Sequence, residues 1–376
     1  PSIQIRDILK APNSEELILD FAVLTSERNV VFLRNQDITF EEQKEFVDRL
    51  GKAAGKPKTS GLHIHPTEED EAHDISSERG KKFRNAYGEG GSEFQSRGWH
   101  SDITFEPVPS DYAALRLRSV PPEGGDTLWA SSYEIYDRLS PAYQEFLEGL
   151  TATHQGTGFL NLGKAGLLKI HPGPRGAPED VGTDLSAVHP VVRTNPVTGW
   201  KSVFVNHPSG FTKRINELSK DESDLVLKHI HDLTVQNHDI HVRFSWNLHD
   251  VAVWDNRSAY HSATTDFDAD LYQRVGERAT SLGERPYLDP NSSSRRQALG
   301  IAPPPARRAH LAALAAAAAN NETADAKPKA APVTSQGRVF KKITKTTSET
   351  TTVTRGADVV NKSSKTTVVT SYEPKE

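Results

Sequence analysis

The sequence predicts a mainly β domain, a double-stranded β-helix (jelly roll) core with flanking helices, followed by a disordered C-terminal tail. Three observations carry that prediction. Short apolar or alternating runs recur through residues 30–284, the pattern of half-buried or doubly covered strands. Turn signals such as "PPEGG" and "NPVTG" separate them. Composition then changes near residue 290, and no aromatic residue occurs between Tyr287 and Phe340. No GxGxxG or GxxxxGK[ST] run is present, so nucleotide-binding α/β folds have no support.

The elements follow in order. Residues 14–24 and 39–50 read as amphipathic helices, the second with Phe40, Phe46, Val47 and Leu50 at helical spacing. "VVFLRN" between them is a short buried strand. "SPAYQEFLEGL" (140–150) and residues 219–234 read as helices opened by serine caps, and Ser219 with Glu222 has capping-box spacing. The remaining runs are strands: "DYAALRLRSV", "GDTLWAS", "LSAVHPVVRT", "KSVFVN", "HVRFSW", "DVAVWDN" and "RATSLGE". Many strands with few helices argue for an all-β core in one domain, residues 1–290.

Residues 291–376 read as a low-complexity basic tail. Twelve Lys/Arg against six Asp/Glu in 301–376 give it +6, leaving −11 for the rest of a chain of net charge −5. Ala, Pro, Lys and Thr in that proportion bury too little apolar surface to offset chain entropy. The Ala-rich piece 310–319 reads as a short helix. "KTTSETTTVT" and "KTTVVTSYE" look like one weak repeat that leans toward a marginal hairpin.

The totals exclude several functions. A net acidic chain is no generic nucleic-acid binder. No Cys is present, which removes disulfides, thiolate metal sites and thiol nucleophiles together. Any metal must be held by His, Asp or Glu, and fifteen His are available. The N-terminal residues lack a basic start followed by a long apolar run, and no stretch reaches the length of a membrane span. The expectation is a cytoplasmic protein without membrane association.

One short stretch suggests chemistry. In "RGWHSDITFE", His100 and Asp102 lie two positions apart, and in a strand such residues share a face. An imidazole beside a carboxylate suits a divalent metal, although a histidine satisfied by a surface carboxylate reads the same way. In "VAVWDNRSAYH" a strand runs into a turn and His261 follows. Two His and one carboxylate on one side of a metal leave open positions and point to non-haem Fe(II) oxygen chemistry. For His261 alone, an ordinary buried histidine is the competing reading. Arg274 and Arg278, four apart in "QRVGERATSLGERP", share a face in a helix and again at even spacing in a strand. Arginine captures carboxylates and sulfonates bidentately, and a solvated surface pair is the alternative.

Three segments together resemble the taurine dioxygenase (TauD) family of Fe(II)- and 2-oxoglutarate-dependent dioxygenases. They are "GWHSDITFEPVPSDYAALRLRSVPPEGGDTLWASSYEIYDRLSP", "AVHPVVRTNPVTGWKSVFVN" and "WDNRSAYHSATTDFDADLYQRVGERATSLGERP". The likeness covers roughly residues 1–288, and the stretch 163–204 resembles the fungal sulfonate dioxygenase branch. The resemblance implies that His100, Asp102 and His261 ligate Fe(II), and that Thr127 and Arg274 hold 2-oxoglutarate. It implies that His65, Phe159, Phe211 and Arg278 meet the substrate. It also implies a small organosulfonate substrate, O2 as co-reactant, and succinate, CO2, an aldehyde and sulfite as products. Homo-oligomers are common in the family. Two positions depart from its pattern: Glu68 stands where the taurine pocket has a Tyr, and Ser96 where it has an Asn. A carboxylate beside a sulfonate repels it, so either Glu68 swings away or the substrate is not taurine. Glu68 could instead meet an amine or another cationic group on the substrate, with His65 and Arg278 still favouring an anionic head group. A sulfate ester, an aryloxy acid or a carboxylated metabolite would then replace the sulfonate. A non-catalytic binding relative is the remaining alternative.

Overall fold

The apolar runs assemble into antiparallel sheets, and the N-terminal helices cover one of them. The computed structural model describes residues 3–67, 73–78, 95–206, 210–302, 308, 312–313, 340–355 and 358–374. The chain divides into Pro1–Pro303 and Pro304–Glu376.

Helix α1 (Ile5–Lys10) precedes α2 (Ser14–Arg28), which runs four residues past its expected end. Asn29 stops it at φ 71°, a conformation asparagine tolerates better than most residues. Strand β1 (Val30–Leu33) follows. Helix α3 (Phe40–Ala53) starts where Thr39 and Glu42 form a reciprocal capping box.

Strands β1, β2 (His73–Ser76), β3 (Ser110–Ser119), β11 (Val251–Asp255) and β13 (Val275–Leu282) form one sheet, in the order β1-β11-β3-β13-β2. Its central strands are covered on both faces. Tyr112, Ala114, Val251 and Val253 pack with Phe21, Phe46, Val47 and Leu50 of the helices. Their alternating neighbours Ala113, Leu115, Ala252 and Trp254 pack inward with Trp129, Phe244 and Trp246. This is why "VAVW" carries no polar alternation.

Strands β4 (Thr127–Ser131), β10 (His241–Phe244) and β12 (Ala259–Ala263) form the second sheet, in the order β10-β4-β12. Trp129 and Ala259 join the inter-sheet cluster, whereas Ala130 and Tyr260 face a separate core. That core gathers residues of α4 (Ser132–Arg138), α5 (Pro141–Glu148) and α7 (Lys220–Gln236). It also holds Ala152 and Ile215, from the sheet β6-β5-β9. Here β5 is Thr151–Gln155, β6 is Ser186–Pro190 and β9 is Thr212–Ile215. Ser140 and Ser219 cap α5 and α7 as expected, and Ser219 closes its capping box with Glu222. The architecture is the expected jelly roll with flanking helices.

Two expectations need correction. "LSAVHPVVRT" is two strands, because β7 (Val192–Thr194) leaves β6 after Pro190 and pairs with β8 (Lys201–Val203) instead. Proline has no N–H to continue a ladder. "RGWHSDITFE" is no strand: only His100 bridges to another strand, and residues 102–105 form a turn. The first compact unit spans Pro1–Pro303. The short helix α8 (Arg295–Leu299) is tied back by Arg295 and Arg296, whose guanidiniums meet Glu134 at 2.9 and 2.6 Å. α6 (Thr157–Lys164), like α1, α4 and α8, was not anticipated.

In the second unit, β14 (Phe340–Arg355) pairs antiparallel with β15 (Asp358–Pro374). The register sets Lys345 opposite Val369 and Glu349 opposite Lys365, so the two Thr/Val repeats pair with each other as a hairpin. The Ala-rich stretch lies almost wholly outside the described residues.

Candidate active site

The site is built where the loop that carries His100 and Asp102 meets strand β12. His100 and His261 exchange backbone hydrogen bonds, His100 N–H to His261 O at 3.0 Å and His261 N–H to His100 O at 2.8 Å. Directly opposed residues place their side chains on one face, and the two imidazole centroids are 4.3 Å apart. The chain then turns at once. Ile103 takes φ 48°, a left-handed conformation that strains a β-branched residue. Asp102 thus stands at the start of a turn and not within a strand.

Oδ1 of Asp102 lies 3.8 Å from Nε2 of His100 and 3.7 Å from Nε2 of His261. One donor atom from each of the three lies within 4.8 Å of the others, and no further such cluster occurs among the described residues. The protonation states suit a cation. Nδ1 of His100 sits 2.7 Å from the carbonyl of Gly98. A carbonyl only accepts, so Nδ1 is a donor here and Nε2 is the ring nitrogen turned toward Asp102. Burial pushes the pKa of His261 down to about 3, against the opposing pull of Asp102. The donor set is therefore a carboxylate and an imidazole pair whose buried member, His261, is neutral, a fit to the facial triad of non-haem Fe(II) sites.

Arg278, in β13, donates from Nη1 to Asp102 Oδ1 at 2.6 Å. Arg274 lies just before the same strand, so the even-spacing reading of the two arginines holds. Arg274 is 5% exposed. Its Nε donates to the carbonyl of Gly125 at 2.6 Å and its Nη2 to Thr127 Oγ1 at 3.1 Å. Burial lowers its pKa to about 10, which leaves it cationic at neutral pH. Trp246 Nε1 donates to the same Thr127 oxygen at 3.0 Å. Two obligate donors occupy both lone pairs, so the Thr127 hydroxyl proton is directed elsewhere, as a donor. The preceding turn needs its glycine: a Cβ on Gly124 would lie 2.2 Å from the carbonyl oxygen of Asp266.

Thr127 stands opposite Ala263, and Trp129 opposite His261. Thr127 and the triad are thus two residues apart along one sheet face, about 7 Å.

The third group is aromatic. Phe211 lies 5.9 Å from the His100 ring, Phe105 5.0 Å from Phe211, and Phe159 5.7 Å from Phe105. The His65 ring meets Phe159 edge-on at 5.0 Å. Thr67 N–H donates to His65 Nδ1 at 3.3 Å, which places the His65 proton on Nε2. Beneath this wall a buried pair, Glu106 with Arg175 at 2.5 and 2.7 Å, ties the Asp102 loop to residues 171–182.

Sequence reading thus brought together His100, Asp102, His261 and Arg278, then Thr127 with Arg274, then His65, Phe159 and Phe211. Ser96 is half-buried in the turn Gln95–Gly98, and Glu68 lies outside the described residues. It missed Phe105, Trp246 and the Glu106–Arg175 pair. Phe105 lies within the "HSDITFE" stretch, but its inward direction depends on the turn at Ile103.

Residues 5–280 match the Taurine catabolism dioxygenase TauD, TfdA family. The chain belongs to that family. An alpha-ketoglutarate-dependent dioxygenase of Neocamarosporium betae, btcD, is 45% identical over 320 residues, covering 79% of this chain and 91% of the relative. An alpha-ketoglutarate-dependent sulfonate dioxygenase of Saccharomyces cerevisiae is 33% identical over 290 residues, covering 76% of this chain and 65% of the relative. The crystal structure of an alpha-ketoglutarate-dependent taurine dioxygenase from Burkholderia xenovorans, itself an inferred assignment, superposes with TM-score 0.58 at 27% identity. The match covers 78% of this chain and 90% of that one. As a TauD/TfdA family member the protein is an oxidoreductase that uses Fe(II), 2-oxoglutarate and O2. No helix of the described residues is long and apolar enough to cross a membrane.

Proposed function

We propose that His100, Asp102 and His261 hold the Fe(II), that Thr127 and Arg274 hold 2-oxoglutarate, and that the substrate is a small organosulfonate. The observation that carries the reading has three parts: a His-Asp-His cluster, a buried cation bonded to Thr127, which stands about 7 Å along the strands, and a second cation, Arg278, on Asp102. When bound, the iron supplies O2 activation coupled to decarboxylation of 2-oxoglutarate. The protein's residues do the rest. Arg274 and the Thr127 hydroxyl grip the far carboxylate of the cosubstrate, a charge-assisted pair in a dry site. Arg278 and the Nε2–H of His65 take the anionic head group. That fixes the adjacent C–H bond beside the metal, and positioning of this kind is the larger part of what an enzyme adds to cofactor chemistry. Phe105, Phe159 and Phe211 keep water from the reacting carbon. A sulfonate on the hydroxylated carbon then leaves as sulfite, and an aldehyde remains.

A second reading keeps the chemistry and changes the acid, to a sulfate ester, an aryloxy acid or a carboxylated metabolite. Its support is that btcD, at 45% identity, carries no sulfonate in its name whereas the yeast sulfonate dioxygenase is 33% identical, and that aromatic rings line the metal-facing side.

Substrate-dependent succinate release, read with sulfite across a panel of these acids, tests both readings. Succinate with sulfite supports the sulfonate, and succinate without sulfite moves the substrate to the second group. Asp102→Ala should abolish metal binding and succinate formation, and retention of either removes Asp102 from the metal centre.

A further inference from the structure

Asp102 owes its place to more than Arg278. Its backbone N–H donates to Oδ1 of Asn256 at 3.1 Å. The same Oδ1 accepts from Trp254 Nε1 at 3.0 Å. Both partners can only donate, so the orientation of the amide is fixed. Its Nδ2 donates to Ser110 Oγ at 2.9 Å, and the Asn256 backbone N–H donates to Asp111 O at 2.7 Å. Its carbonyl accepts from Ser101 Oγ at 2.6 Å. Asn256 is 1% exposed.

One buried residue therefore grips both ends of the loop that carries Asp102: residues 101–102 where it leaves His100, and 110–111 where β3 begins. Asn256 itself sits in the tight turn between β11 and β12, five residues before His261. That turn is braced by Arg257, which holds Asp255 through two bonds of 2.8 Å. From this geometry we infer that Asn256 is a positioning residue for the metal centre. It sets the Asp102 carboxylate against the His100–His261 pair and offsets the strain of the left-handed Ile103 that follows. The inference rests on the assignment of Asp102 as a metal ligand.

Titration of the full-length, metal-free chain with Co(II), followed by calorimetry and by the Co(II) d–d absorption, tests it. Loss of a group that orients a ligand weakens metal affinity roughly 10- to 100-fold. Asn256→Ala is expected to show that loss with an altered d–d spectrum. Ser110→Ala removes the acceptor of the Asn256 Nδ2 while leaving the bond to Asp102 in place, and is expected to lower the melting temperature with the Co(II) affinity unchanged. Folded Asn256→Ala protein that binds Co(II) as tightly as wild type overturns the inference. If that variant does not fold, amide hydrogen exchange on metal-free wild type decides. The Asp102 amide is expected to be as protected as β12, and exchange at the rate of an open loop overturns the inference. Wild type that binds no Co(II) at all overturns the metal-centre reading instead.

Discussion

Nη1 of Arg278 donates to the Oδ1 of Asp102 that also faces both histidines. One oxygen is thus shared between a fixed guanidinium and the metal-facing side of the cluster, so Arg278 can serve the substrate, the ligand or both. Arg278→Gln separates these. If Arg278 holds the substrate's head group, the substrate KM should rise at least about tenfold, the value of one charge-assisted bond. The 2-oxoglutarate KM should stay within about threefold. Co(II) affinity should not fall, because removing a neighbouring cation leaves the carboxylate a better donor. Weakened Co(II) binding with an unchanged substrate KM would assign Arg278 to Asp102 alone.

The cosubstrate end makes a graded prediction. Arg274→Ala removes the buried cation and should raise the 2-oxoglutarate KM roughly 10- to 100-fold. Trp246→Phe removes one neutral donor to Thr127, worth about 1 kcal/mol, and should raise it about fivefold. It frees one lone pair of the hydroxyl, which then no longer has to point its proton at the carboxylate. Initial rates at varied 2-oxoglutarate give both numbers. Equal effects, or none, would place the cosubstrate elsewhere.

Buried titratable groups set the pH dependence of the metal-free protein. Burial holds His261 at about 3 and His189 at about 4, against 6.5 in the unfolded chain. Between those values the folded chain binds fewer protons. Stability is therefore full above 6.5 and is lost as the pH falls toward 4, by up to about 1.4 kcal/mol per pH unit per histidine. Asp180 works in the opposite sense. Burial, with Glu106 nearby, raises it to about 8, so its contribution is present below 3.8 and is lost as the pH rises toward 8. The melting temperature should rise to about pH 6.5 and fall between there and pH 8. Asp180→Asn should flatten the upper limb, and an upper limb with the same slope would remove Asp180 as its cause.

Two truncations locate the domain boundary. A chain ending at residue 303 should keep full turnover if, as we propose, the Thr/Lys-rich tail is dispensable for chemistry. A chain ending at residue 290 loses Arg295 and Arg296 from Glu134, and with them the parallel bridge between Trp200 and Ser293. It should melt several degrees lower, since 1 kcal/mol shifts the melting temperature of a domain this size by about 2–4 °C. Calorimetry of the two chains beside the full-length protein reads the difference.

Much of this molecule was legible in its residues. "VAVW" and "DYAALRLRSV" announced strands because their apolar residues suit a sheet that is covered, and Ser140 and Ser219 announced helix starts because an orphan N–H needs an acceptor. His100, Asp102 and His261 were named from residue type and order. What the residues did not disclose was the local backbone: the expected strand gives way after His100 to a turn with Ile103 left-handed. The strand break after Pro190 and the inward direction of Phe105 were equally hidden. Local chemistry determined which groups could bind a metal or an acid, since donor type belongs to the side chain. Only the tertiary structure decided that Trp246 and Arg274 meet on one oxygen of Thr127, and that Asn256 grips a loop more than 140 residues before it in the chain. Those relationships join segments far apart in the chain, and no local pattern records which distant partner a buried polar group will find.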